Sequence, residues 1–371
     1  MSRELDWLFV PEMRAKTSVP ITQLKWDAML ENFHDQFPDD RPLQLQAPIA
    51  RWLAPELIGV TQENTRFRVF FDAQTGAVQG VSAWFNWQRF LRESHRHLML
   101  PVTIGLTIVG GLAISLIATM LSSLYIYKHW WRGFFRVPTA LHNEREKPND
   151  GKSKRRFWGG IHRLAGVWSL WFVLLMATTG AWYLAERWGF SSTFPPSTVL
   201  TQTYSSDPSD SLAQKLEIAK ELYPELLVQT IRFDSTTGRT LLQGQAQASF
   251  VRDRANQLVF HEGDDMPIEL RRGDELDWHS RISEAADPLH FGTFGGSLTR
   301  FIWALFGALL TVLAVTGVYL HGLRLVARTR HKVTKDQPLV SALKRIPLLW
   351  SAPSLAVIAF CLSRALIETV V

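Results

Sequence analysis

The chain has 371 residues, 46% hydrophobic, 20% charged and 12% aromatic, with 40 Lys/Arg against 34 Asp/Glu. The aromatic share and 15 Trp exclude a disordered chain. A single cysteine, Cys361, excludes an intramolecular disulfide, an iron–sulfur cluster and a cysteine-based zinc site.

The first stretch, up to residue 97, alternates like a soluble α+β module. A helix is expected over roughly Ile21–Phe37. Residues 67–78 then read as a strand, an Asp72-x-x-Thr75-Gly76 turn and a returning strand. His34 lies in this stretch, Trp84 and Trp87 come near its end, and His95 and His97 close it. Leu98–Tyr127 follows, 30 residues without Asp, Glu, Lys or Arg. A helix crossing a bilayer needs about 20 apolar residues, so this run reads as a span. His129 stands just beyond it, and His142 falls in a basic loop as a solvated polar residue. His162 lies six residues past Arg156, roughly 9 Å along a helix. The uncharged run Leu164–Ala185 is the second span.

The soluble pattern then returns. A helix is expected over Ser211–Leu222, a hairpin over residues 229–241 through Asp234-x-x-Thr237-Gly238, and a further hairpin-like strand over Ala255–Phe260. His261, Trp278 and His279 follow, and His290 precedes the third span, Phe301–Leu323. His321 sits near the inner end of that span, and His331 lies in a second basic loop. Ile346–Ser363, with Pro347 and Pro353, is the fourth span. The order (soluble module, helix, helix) therefore occurs twice, as expected of an internal duplication. The fold class implied is an α-helical membrane protein with α+β modules and four transmembrane helices.

Charge sets the orientation. Segment 128–163 has 10 Lys/Arg against 3 Asp/Glu, and segment 324–345 has 7 against 1. Segments 1–97 and 186–300 have 11 against 12 and 11 against 17. Short basic loops stay in the cytoplasm, which places both modules and the C-terminus outside. The basic excess sits where topology needs it and does not point to nucleic acid.

Neutral imidazole suits iron, and a thiol-poor membrane protein that carries electrons most simply uses haem with two axial histidines. Histidines cluster at both membrane faces: His95, His97 and His290 outside, His129, His162 and His321 inside. His162 is the best single ligand candidate, since ionisable residues inside spans mark function. Residues 290 and 321 are 31 apart, about 46 Å if helical throughout, against an apolar core of about 30 Å. The pattern fits one haem at each face. No flavin or nucleotide signature is present: Gly105, Gly110 and Gly111 lie in a span without the Lys-Ser/Thr of a phosphate loop.

Several stretches resemble one family. They are Ser94-His95-Arg96-His97-Leu98-Met99-Leu100, Phe157-Trp158-Gly159-Gly160-Ile161-His162-Arg163-Leu164-Ala165-Gly166-Val167-Trp168, Thr178-Thr179-Gly180, Leu289-His290-Phe291-Gly292-Thr293-Phe294-Gly295-Gly296 and Val315-Thr316-Gly317-Val318-Tyr319-Leu320-His321. With the two Asp-x-x-Thr-Gly hairpins, the chain resembles the PepSY-associated transmembrane, or iron-regulated membrane, proteins. Within them it looks most like the ferric-siderophore reductases of the bacterial inner membrane.

That resemblance implies two haem b groups, an outer one on His95 and His290 with His97 as substitute, and an inner one on His162 and His321 with His129 as substitute. It implies a ferric siderophore as substrate and a quinol or cytoplasmic reductase as donor. It also implies periplasmic PepSY-like modules at 1–97 and 187–297, and helices at 98–131, 158–186, 298–324 and 346–367 joined by cytoplasmic loops 132–157 and 325–345. Relatives carry a further histidine-bearing helix before a Glu-Leu-Asp stretch, here Glu4-Leu5-Asp6; three alternative expectations follow, that the gene encodes such a helix upstream, that the start is misassigned, or that the first span itself translocates the module. Two other readings go with the same pattern: a non-enzymatic regulatory or interaction protein, and a haem subunit serving another periplasmic reductase. A transporter is disfavoured, because the spans lack Asp, Glu, Lys and Arg.

Overall fold

A computed structural model of the protein describes residues 2–133, 151–193, 198–199, 211–261 and 267–328. The fourth expected span, most of both basic loops, His142, His331 and Cys361 lie outside the described residues. The elements run α1 (Ser2–Phe9), α2 (Trp26–Gln36), β1 (Arg41–Gln46), β2 (Glu56–Val60), β3 (Arg66–Phe71), β4 (Val78–Ala83), α3 (Trp87–His97) and α4 (Val102–Ile126). They continue with α5 (Gly151–Trp168), α6 (Leu170–Ala185), β5 (Thr198–Val199), α7 (Leu212–Leu222), β6 (Leu227–Asp234), β7 (Arg239–Gln245), β8 (Asn256–His261), β9 (Pro267–Arg271), α8 (Trp278–Phe291) and α9 (Gly296–Arg328). The described residues form two compact units, one within 2–92 and 188–300 and the other within 93–187 and 301–328.

The first unit holds every described strand in one antiparallel sheet, ordered β4-β3-β2-β1-β6-β7-β8-β9-β5. Both expected hairpins are present, as β3–β4 and β6–β7. Their turns are built alike. Asp72 Oδ1 accepts from the backbone N–H groups of Gln74 and Thr75, and Asp234 Oδ1 from that of Thr236. Gly76 and Gly238 then take φ +75° and +60°, a region that costs glycine nothing. The two repeats meet edge to edge at β1 and β6, with Leu45 opposite Ile231.

Side chains alternate across a strand, so one face of the sheet carries Leu45, Leu57, Val69, Phe71, Ile231, Leu242, Leu258 and Phe260. On it lie α2, through Met29 and Phe33, and α7, through Leu212, Ala219 and Tyr223. Helix α2 begins at Trp26, after a separate 3₁₀ turn at Ile21–Gln23, and not at Ile21 as the sequence suggests. Helix α7 starts where expected, because Ser211 Oγ accepts from Gln214 N. The other face carries Phe70, which packs with Met13, Leu53 and Trp7. The buried carboxylate of Glu56 there is clasped by Arg3 and Arg68. Burial alone would raise its pKa; the two guanidinium groups outweigh that and hold it below the usual carboxylate value.

In the second unit α4 is long and apolar enough to cross a membrane, as is Gly296–Arg324 of α9. The second expected span is not one straight helix. It is bent by 62° at Ser169, and α5 with α6 makes a third crossing if the bent pair is a single span. Ser169 is fully buried, and its Oγ donates to the Ala165 carbonyl at 2.6 Å. Such back-bonding bends helices without any proline. Helices α4 and α6 pack through small residues: a Cβ on Gly110 would stand 2.9 Å from Leu184 Cβ, and one on Gly180 3.0 Å from Ala113 Cβ. Close backbone approach of this kind substitutes for hydrophobic drive inside a bilayer.

Candidate functional site

His162 lies on α5, and Thr316 lies 154 residues later on α9. His162 Nδ1 is 2.8 Å from Thr316 Oγ1. The threonine hydroxyl has one proton, and its shortest acceptor is the Val312 carbonyl one turn back, at 2.6 Å. With the hydroxyl proton turned to Val312, Thr316 is assigned as the acceptor and His162 as the Nδ1–H tautomer. That leaves the Nε2 lone pair as the metal-binding position, the arrangement in which an outer partner orients a histidine ligand. Two further features flank the ring. A Cβ on Gly317 would stand 3.5 Å from His162 Cε1, an ordinary contact distance, so the α9 backbone runs close beside the ring. One turn away on both helices, Trp158 meets Tyr319 edge to face, with centroids 5.5 Å apart.

His162 lines a cavity of about 1210 Å³ formed wholly within the helical unit. Its walls are largely apolar, from Leu116, Val167, Leu170, Val173 and Leu313, with Gly166 leaving space on the α5 side. His129 lines the same cavity, as do Lys128, Arg132 and Arg163. Small-molecule pockets commonly span roughly 300–1,000 Å³, so a porphyrin-sized molecule is within its capacity. Two imidazoles, apolar walls and three cations suit a flat apolar macrocycle with a central metal and carboxylates at its edge. Among the described residues no group of three or more His, Cys, Asp and Glu is placed to hold a metal ion; two-histidine ligation does not need one.

The structure thus brings His162 and His129 to the lining of one cavity, and His321 is not among its lining residues; His129 and His321 are both exposed. His97 is buried, and its Nε2 pairs with Glu93 one turn earlier on α3. Its backbone is pressed against α4, where a Cβ on Gly105 would lie 2.1 Å from the His97 carbonyl oxygen. His95 is exposed on α3 in the helical unit, and His290 is half-buried on α8 in the sheet unit. Of the tryptophans flanking them in sequence, Trp87 and Trp278 are exposed, and Trp84 carries Arg89 stacked 3.6 Å from its ring centre.

Helix α8 is anchored by charge. Asp277 caps its start by accepting from Ser280 N at 2.9 Å. Glu284, only 1% exposed, accepts from Arg252 at 2.7 and 2.9 Å and from Arg254 at 3.0 Å, while Arg252 also pairs with Asp287. Burial raises the carboxyl pKa of neighbouring Asp253, against the bonds it accepts from Gln245 and Thr230. Neither Thr316 nor the Glu284 clasp stands out in the sequence. Thr316 belongs to an apolar run where a lone threonine is ordinary, and nothing local relates Glu284 to arginines some 30 residues upstream.

A family model described as PepSY-associated TM region matches residues 1–324. No curated protein matches the chain.

Proposed function

The chain belongs to the PepSY-associated TM-region family, and from that premise we propose that it is a haem-dependent reductase of the bacterial inner membrane. On this reading it takes electrons from a quinol or a cytoplasmic reductase and reduces Fe(III)-siderophore to Fe(II) on the periplasmic face. The observation that carries the proposal is His162, held by Thr316 as an Nδ1–H tautomer in a cavity that His129 also lines.

His162 Nε2 and the His129 imidazole are the proposed inner ligands, with His129, the expected substitute, in place of His321. For the second haem the proposed residues are those named from the sequence, His95 and His290. Haem b, when bound, supplies reversible one-electron transfer. Thr316 fixes the imidazole that lines the cavity, Leu116, Val167, Leu170 and Leu313 give it an apolar wall, and Lys128, Arg132 and Arg163 offer positive charge to carboxylates. Siderophores bind iron through hard oxygens, and Fe(II), softer and lower in charge, is held less tightly. Reduction by one electron therefore releases the metal.

The experiment is an absorption spectrum, oxidised and dithionite-reduced, of detergent-purified protein from haem-replete cells, with haem counted per chain. Bis-histidine b-type spectra are expected. After removal of excess reductant, mixing the reduced protein with ferric siderophore should reoxidise it as Fe(II) appears. Well-folded protein without haem overturns the proposal in favour of a regulatory or interaction role. Haem that ferric siderophore leaves reduced makes the protein a subunit serving another reductase.

A further inference from the structure

A helix on the surface of a globular unit ordinarily turns its apolar stripe inward; α1 keeps Trp7 inward and otherwise does the reverse. Its charged side chains face the protein. Arg3 clasps buried Glu56, Asp6 is 1% exposed and accepts from Gln88 N at 3.1 Å, and Glu4 pairs with Arg300 at 3.6 Å. Leu5, Leu8 and Phe9, which share the opposite side at helical spacing, are 40%, 56% and 66% exposed. Trp87 and Leu91, one turn apart on α3, are also exposed, and the Phe9 and Trp87 rings lie 6.5 Å apart. These five residues make one apolar surface on two helices.

We propose that this surface is seated in the lipid of the outer leaflet, at the boundary between head groups and acyl chains. Three observations select lipid as its occupant. Arg300, the partner of Glu4, is the last charged residue before the uncharged run Phe301–Leu323 of a membrane-spanning helix. Gln88, the partner of Asp6, lies on α3, which ends at His97, five residues before the apolar helix α4 begins at Val102. The polar clamps of α1 therefore hold it to the starts of two chain segments that enter the bilayer. The patch also contains Trp87, an aromatic residue of the kind enriched at membrane interfaces. The inside-out polarity of α1 follows: its charges fix it to the protein, and its apolar side sinks into lipid.

The test is site-directed spin labelling in phospholipid nanodiscs of mixed zwitterionic and anionic composition, with Cys361→Ser as background. A nitroxide at Leu8→Cys is compared with one at Glu31→Cys, an exposed position on α2, which covers the opposite face of the sheet. Dissolved oxygen should relax the Leu8 label far more than a water-soluble nickel chelate does, with the order reversed at position 31. Nickel preference at both positions overturns the proposal, because the patch then faces water. Shielding of the Leu8 label from both reagents overturns it too, because a second copy or another protein segment then covers the patch. Neither outcome depends on whether the protein binds haem.

Discussion

Replacing Thr316 with valine keeps the shape of the side chain and removes the oxygen that accepts from His162 Nδ1 at 2.8 Å. Thr316 is 2% exposed, so water does not readily take its place. An ordinary neutral hydrogen bond contributes about 1 kcal/mol net, and an orphaned buried donor costs about 1–3 kcal/mol. Loss of an outer partner typically weakens metal binding about 10- to 100-fold. The Trp158–Tyr319 contact one turn away remains and valine keeps the side-chain shape, so the ring stays near its place and the low end applies. Thr316→Val should therefore weaken haem retention roughly tenfold, or about 1.4 kcal/mol. A histidine that no longer donates through Nδ1 is also a poorer electron donor to ferric iron, so the midpoint potential should rise. Transfer of haem to apomyoglobin measures the first effect and a redox titration the second. Thr316→Ser, which keeps the hydroxyl, should restore both. Wild-type behaviour of Thr316→Val in both assays would refute the reasoning, as would equal damage from serine and valine, since the effect would then be one of packing.

Haem content after gentle purification should fall in His162→Ala and His129→Ala and stay close to wild type in His321→Ala; loss confined to His162→Ala and His321→Ala would return the pairing to the one expected from sequence. Glu284→Ala takes a buried carboxylate from Arg252 and Arg254; Arg252 keeps Asp287 and Arg254 is part-exposed, so the loss is that of charged hydrogen bonds, roughly 1.5–3 kcal/mol. A clear drop in the thermal unfolding temperature is expected, and an unchanged one would show that solvent already screens the clasp. Asp234 is held at a pKa of about 2 by bonds from Thr236 and Thr237. A carboxyl depressed on folding stabilises above its unfolded pKa of about 3.9 and loses that stabilisation as pH falls through its folded value. Wild type should therefore lose more stability than Asp234→Asn on acidification from neutral pH toward about 2, in parallel denaturation curves.

What the sequence made legible follows from the range of the interactions. The hairpins are local objects, and an aspartate with a glycine four residues on, Asp72 with Gly76 and Asp234 with Gly238, specifies their turns without outside help. Long uncharged runs identify α4 and α9 because the bilayer dictates their length. His162 stood out as an ionisable residue inside a span, but its partner did not, since a hydroxyl 154 positions away has no local signature. The bend at Ser169 was hidden for another reason. The run stays apolar through it, with neither proline nor glycine at the break, and one buried hydroxyl turned onto Ala165 marks the site. Polarity was misleading at α1, where the charged residues are the ones that face inward.

The junction of the repeats was the least legible feature of all, and it carries a consequence for stability. Alternation shows which side of a strand is buried but not which strand lies beside it, so two modules read from sequence need not share a core. Here they do. Ile231 on β6 stands opposite Leu45 on β1, both fully buried, in one cluster with Phe33 of the first repeat and Tyr223 of the second. Ile231→Pro removes a backbone donor from a strand paired on both sides and forces a ring into that cluster, and proline is tolerated in sheets only at edges and bulges. If the repeats fold as one body, the damage must reach both. Hydrogen exchange read by mass spectrometry on nanodisc-embedded protein should then show protection falling together at β2–β3, in the first repeat, and at β7–β8, in the second. Retained protection at β2–β3 while β7–β8 exchanges would mean that each module carries its own stability, and that the shared sheet is a docking of two finished domains.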